Sequence, residues 1–76
     1  MSRVTLDDMA SNPSGGWRIQ DVETVCAAHG AKCVPPRGGG SHYKVSKLGK
    51  VEILTVPFKR PIKPIYIKKL VAFLRD

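Results

Sequence analysis

The sequence predicts an α+β domain in which helices lie on a small antiparallel sheet, in the order helix, three strands, helix. Three observations carry that expectation. Seventy-six residues leave room for one core, because a chain of this size buries only about 60% of the surface its unfolded form exposes. Hydrophobic spacing switches from a helical to an extended period after Gly30 and returns to a helical one after Pro64. Glycines and prolines punctuate the stretch between them at short intervals. With 42% hydrophobic and 25% charged residues, the composition is that of a folded domain and not of a disordered chain. The length also excludes multi-domain enzymes and large cofactor-binding folds.

Taken in order, Thr5-Leu6-Asp7-Asp8 offers a hydroxyl N-cap with a carboxylate three residues on, flanked by Val4 and Met9 at the hydrophobic-staple positions. One or two helical turns are expected from Thr5 to Ala10. Asn12-Pro13-Ser14-Gly15-Gly16 then breaks the helix and reads as a linker or loop. Ile19, Val22, Val25, Cys26 and His29 recur at helical spacing, Asp21 and Glu23 lie near the positive end, and Gly30 stands where a left-handed cap is needed. A helix from Arg18 to His29 follows, with Trp17 packing against its start as a core anchor in preference to a base-stacking role. His29 is given a structural role at the helix C-terminus.

Ala31 to Val34 is a short extended run stopped by Pro35-Pro36, and Arg37 with three glycines makes a flexible loop. Ser41 to Ser46 alternates Tyr43 and Val45 with His42 and Lys44, Leu48-Gly49 signals a turn, and Val51 to Val56 is β-branched and apolar until Pro57 ends it. These two runs predict an antiparallel hairpin. Phe58 to Lys63 is a basic connector stiffened by Pro61, and Pro64 suits the first turn of a last helix to Arg75 whose apolar stripe is Ile67, Leu70, Val71 and Leu74.

Charge is distributed unevenly. Thirteen Lys and Arg against six Asp and Glu give +7, but residues 1 to 31 hold two bases and four acids, while residues 32 to 76 hold eleven bases and two acids. The second half therefore carries +9 and the first −2. Such asymmetry favours a polyanionic partner, namely nucleic acid, an acidic protein or an anionic surface, over a merely solubilising role. Cys26 and Cys33 form neither a CxxC pair nor a zinc-finger spacing with a histidine, so no metal is expected and both are read as small core residues. No signal-peptide pattern and no apolar run long enough to span a membrane are present, which leads us to expect a cytoplasmic chain with reduced thiols and no membrane association.

The second half offers few groups that titrate or attack, and His42 stands out among them. It follows Gly38-Gly39-Gly40-Ser41, whose backbone can come close to a phosphate, and the strand alternation sets its ring on the polar side with Lys44. An imidazole exchanges protons near neutral pH, and neighbouring lysines would stabilise the charge of a phosphorane-like transition state. RNA supplies its own nucleophile in the 2′-hydroxyl, whereas metal-assisted cleavage wants clustered carboxylates that Glu52 and Asp76 are badly spaced to supply. A plain phosphate-contacting surface histidine is the competing reading. Lys59, Arg60, Lys63, Lys68 and Lys69 surround the start of the last helix, whose N–H groups also attract phosphate. They predict a backbone-binding edge, against the alternative of a solvated face.

Trp17-Arg18-Ile19-Gln20-Asp21-Val22, Gly40-Ser41-His42-Tyr43 and the stretch from Thr55-Val56-Pro57 through Pro64 together resemble the HicA family of toxins from bacterial type II toxin–antitoxin systems. The resemblance covers residues 12 to 75, and its Asn-Pro and Trp-x-Ile-x-Asp-Val opening is similar to a branch with a long N-terminus. It implies a double-stranded-RNA-binding-domain-like αβββα fold with both helices on one sheet face, over residues 17 to 76, preceded by an extension over residues 1 to 16 with a short helix. It further implies metal-independent cleavage of mRNA without the ribosome, His42 as the catalytic residue, no cofactor, and a HicB-type antitoxin that covers the toxin. Many members carry a second His or an apolar residue where Tyr43 stands, which leaves the role of Tyr43 open.

The first expectation is therefore a small endoribonuclease. Arg37, Gly40, Ser41, Lys44, Lys59, Arg60 and Lys63 would hold the RNA backbone, and His42 would act as general base or acid. A non-catalytic RNA-binding module with the same surface is the alternative, and an adaptor for acidic proteins is a third class.

Overall fold

The structure, a computed structural model, describes residues 4 to 75. Its elements are α1 (Leu6–Ser11), α2 (Ile19–Ala28), β1 (Ala31–Val34), β2 (His42–Lys47), β3 (Leu54–Pro57) and α3 (Pro64–Arg75). Both chain reversals within the sheet are antiparallel, and β2 lies between β1 and β3. The expected α+β class, with three antiparallel strands, is observed, and the short N-terminal helix, α1, packs against α3.

Local chemistry accounts for the helix ends. Thr5 caps α1 in a reciprocal box: the Asp8 N–H donates to Thr5 Oγ1 at 3.2 Å, and the Thr5 N–H donates to Asp8 Oδ2 at 3.0 Å. The start of α2 has half of such a box, the Arg18 N–H donating to Asp21 Oδ2 at 2.9 Å. At its other end the His29 N–H reaches the Cys26 and Val25 carbonyls, and Gly30 turns the chain into β1 at φ 70°. Pro64 opens α3, where its missing N–H costs nothing.

Register fixes the two faces of the sheet. Cys33, Val45 and Leu54 are aligned on one side with Tyr43 and Val56, and Val45 and Val56 are buried. The opposite side presents Val34, Lys44 and Thr55 in a row, together with Lys32 and His42, all exposed. Helices therefore cover one face and leave the other open to solvent. The core is one cluster in which Val22, Val25 and Cys26 of α2 and Ile67, Leu70, Val71 and Leu74 of α3 meet Val45 and Val56. Leu6 and Met9 belong to the same cluster, and Met9 has no exposed surface. The segment before Trp17 thus supplies core residues as well as a helix.

Some element boundaries differ from the sequence expectation. β3 begins at Leu54 and not at Val51; it ends at Pro57, as expected, and Pro57 still pairs with His42. Val51 is fully exposed and Ile53 is 58% exposed. β2 runs on to Lys47, but its pairing with β3 stops at Val45–Leu54. Around the turn, Lys47 sends its Nζ 3.0 Å to the Leu74 carbonyl at the end of α3, and the Lys50 ammonium lies 5.0 Å from the Phe73 ring centroid. Pro57 is tolerated because β3 is an edge strand with one free side. β2 is shifted by one residue, to His42–Lys47.

The two cysteines are free thiols on α2 and β1, Cys26 buried and Cys33 half-buried. The neighbouring Cys33 thiol holds the Cys26 thiol far above its ordinary range, with burial adding to the effect. The same neighbour lowers Cys33, against the opposing effect of burial. Iodoacetamide is therefore expected to label Cys33 well before Cys26 in the folded protein, and both alike in urea. Equal labelling rates in the folded state, read by peptide mass spectrometry, would contradict the burial of Cys26.

Met9→Ala tests whether α1 is integral. Truncating a fully buried methionine costs about 2–5 kcal/mol, whereas the exposed Arg75–Asp7 ion pair at 3.2 Å, which also joins α3 to α1, contributes at most about 1 kcal/mol. Urea melts should accordingly show a large loss for Met9→Ala and a small one for Asp7→Asn; a small loss for both would mean α1 is loosely attached.

Candidate nucleic-acid interface

His42 is the first residue of β2, at the end of the sheet where β3 runs out into the basic connector. Extended geometry turns its side chain to the open face, as the alternation with Tyr43 and Val45 requires. Ser41 Oγ lies 2.8 Å from His42 Nδ1, so one ring nitrogen is occupied and Nε2 has no hydrogen-bond partner among the described residues. The adjacent Tyr43 lies on the helix-covered side and meets Phe58 edge to face, centroids 5.4 Å apart. That contact and the Phe58 N–H to Ser41 carbonyl bond at 3.3 Å extend the β2–β3 pairing past His42.

Beyond Phe58 the chain curls back over this end of the sheet. The Ile62 N–H donates to the Trp17 carbonyl at 2.9 Å, and the Ile62 side chain is buried. Trp17 in turn is held by its Nε1 to the Asn12 carbonyl at 2.8 Å and packs on the core, which is the anchor role expected for it. The Arg60–Pro61 peptide is cis. Pro57, Pro61 and Pro64 each fix a backbone φ along this path.

Between the connector, the sheet end and the start of α3 lies a cleft of about 460 Å³. His42 and Pro57 line it from the sheet; Lys59, Arg60, Pro61, Ile62 and Lys63 line it from the connector. Pro64 and Tyr66 come from α3, and Ser14 and Gly16 from the loop before α2. Lys59, Arg60 and Lys63 are exposed and make no ion pair among the described residues. Among the described residues, no carboxylate lines the cleft. Three uncompensated cations and an imidazole around one concave site make a strong attractor for anions.

Four residues expected from the sequence, His42, Lys59, Arg60 and Lys63, therefore share one cleft. Ser41 is bonded to His42 without lining it. Lys44 stands on the same open face one pleat along β2, paired with Thr55 and Val34. Arg37 and Gly40 lie outside the cleft, in the loop between β1 and β2. Gly40 is required there by packing, since a Cβ would come 2.9 Å from Pro36 Cβ. Tyr66 was not singled out from the sequence. It falls beside the apolar stripe of α3, one residue before Ile67, and its place in the first turn next to the basic connector was the available signal.

Compared with known proteins, the chain matches no family model, no curated protein and no solved structure.

Ser41→Ala isolates the first contact in it. Both residues are exposed, so the fold should be unchanged, while the ¹⁵N shifts of the His42 ring should move as Nδ1 loses its partner and the tautomer balance changes. Identical ring shifts in the two proteins would show that Ser41 does not hold the imidazole.

Proposed function

We propose that this protein is a small endoribonuclease of the HicA kind, the toxin of a type II toxin–antitoxin pair, acting on mRNA in the cytoplasm. The single observation that supports it most is the meeting of His42 with Lys59, Arg60 and Lys63 around one cleft that no carboxylate among the described residues lines. The sequence order from α2 to α3 is also that of the double-stranded-RNA-binding-domain-like αβββα layout the resemblance implies.

In this reading the cations bind consecutive phosphates, and His42 removes the proton from a 2′-hydroxyl. That oxygen attacks the adjacent phosphorus, the bond from phosphorus to the 5′-oxygen breaks, and the leaving oxygen takes up a proton. The products are a 2′,3′-cyclic phosphate and a 5′-hydroxyl. The dianionic charge that develops on the phosphoryl oxygens is stabilised by Lys59, Arg60 and Lys63. Arg37 and Lys44, outside the cleft, extend the track for flanking phosphates, with Ser41 and the Gly40 backbone beside His42. A HicB-type antitoxin would inhibit by covering the same cationic surface, and charge would speed its association.

A second reading, a non-catalytic RNA-binding module, is favoured by one observation: His42 is the only imidazole, and there is no carboxyl group, among the residues lining the cleft. The two are separated by incubating the purified protein with a defined mRNA. Wild type should cut it in the presence of EDTA, and His42→Ala should lose at least about 100-fold of the rate while keeping its RNA affinity. Uncut RNA bound by the wild type would support the binding module; a strict need for added divalent metal would overturn the mechanism.

A further inference from the structure

The cationic rim accounts for only part of the cleft. Much of the remaining lining is apolar: Pro57, Pro61, Pro64 and the half-buried Tyr66, with the buried Ile62. Phosphate contacts alone have no use for such a lining. A volume of about 460 Å³ lies within the roughly 300–1,000 Å³ typical of small-molecule sites. An aromatic ring in a proline-walled pocket beneath three cations matches the two halves of a nucleotide, a flat base to stack and an anionic phosphate to pair. The Lys69 ammonium lies over the Tyr66 ring, 5.9 Å from its centroid, and adds positive charge on that face, so a base would stack on the other.

We propose that this cleft is a pocket for one unpaired nucleotide, its base stacked on Tyr66 and its phosphate held at the rim beside His42. The inference rests on the ribonuclease reading for its substrate class and adds what that reading lacks, a reason for the enzyme to act on single-stranded RNA. In a duplex both faces of every base are already stacked, and the edges are paired, so no base is available to enter the pocket. A single-stranded segment can turn one base out at small cost and bring the neighbouring phosphate to the imidazole. Tyr66 is thus a binding residue and a determinant of substrate conformation, not a proton carrier.

The test is binding by the full chain, measured by NMR titration with three probes: adenosine 3′-monophosphate, adenosine, and inorganic phosphate. The nucleotide should bind at least about 10-fold more tightly than inorganic phosphate, shifting the Tyr66 ring and the Ile62 and Lys63 amides. Tyr66→Phe should keep that affinity, while Tyr66→Ala should lose roughly 5- to 150-fold of it, the range that stacking on one aromatic ring spans, with phosphate affinity unchanged. Should Tyr66→Ala fail to fold, the wild type decides alone: a single-stranded oligonucleotide should bind at least about 10-fold more tightly than the same sequence in a duplex at equal salt. Equal affinity for nucleotide and phosphate, or for single strand and duplex, overturns the proposal. If RNA is cut but the nucleotide binds no better than phosphate, the pocket is wrong and the nuclease stands. If the nucleotide binds as described but RNA is never cut, the pocket stands and the catalytic reading fails.

Discussion

The main-chain bond from the Ile62 N–H to the Trp17 carbonyl, 2.9 Å long, is the constraint on which the rest of the site depends. It joins the segment before α2 to the segment before α3, two stretches that share no secondary structure. Burial of the Ile62 side chain beneath it turns a connector with three flanking charges into a fixed wall. A buried amide without a partner costs on the order of 1–3 kcal/mol, so the connector has one favourable path. With that path set, Lys59, Arg60 and Lys63 face the same space as His42.

Rigidity of this kind matters for a cluster of like charges. Three cations with no ion-pair partner among the described residues repel one another, and a flexible connector would let them spread into solvent. Here the prolines reduce the freedom lost on folding, and Trp17 is itself tied to Asn12 at 2.8 Å, so the repulsion is borne by the core instead of being relaxed. The chain of anchoring runs back to α1, whose Leu6 and Met9 sit in the same core cluster as Ile62 and Ile67. A preformed cationic cleft binds a polyanion with less ordering to be done at the moment of association.

The sheet divides the labour in another way. Its covered face supplies Val45 and Val56 to the core, and its open face carries His42 and Lys44. One strand, β2, thus packs the fold through odd-numbered residues and presents chemistry through even-numbered ones. Tyr43, whose role the sequence left open, belongs to the first set, and its edge-to-face contact with Phe58 steadies the point where β3 passes into the connector.

The amino-acid sequence alone determined what depends on near neighbours. The Thr5–Asp8 box, the turn at Gly30, the start of α3 at Pro64, the alternation that puts His42 outward and the surplus of bases after residue 31 were all legible, because each follows from backbone preferences or from residues a few positions apart. What only the tertiary structure decided are the meetings of residues distant along the chain. The late start of β3 accompanies the contacts of Lys47 and Lys50 with α3, and periodicity could see only a β-branched run. Lys59, Arg60 and Lys63 were identifiable as a basic edge, but their enclosure with His42, Ser14 and Tyr66 in one cleft is set by packing around Trp17 and Ile62. Tyr66 could not be distinguished from any residue beside a helical stripe until the connector had folded over it.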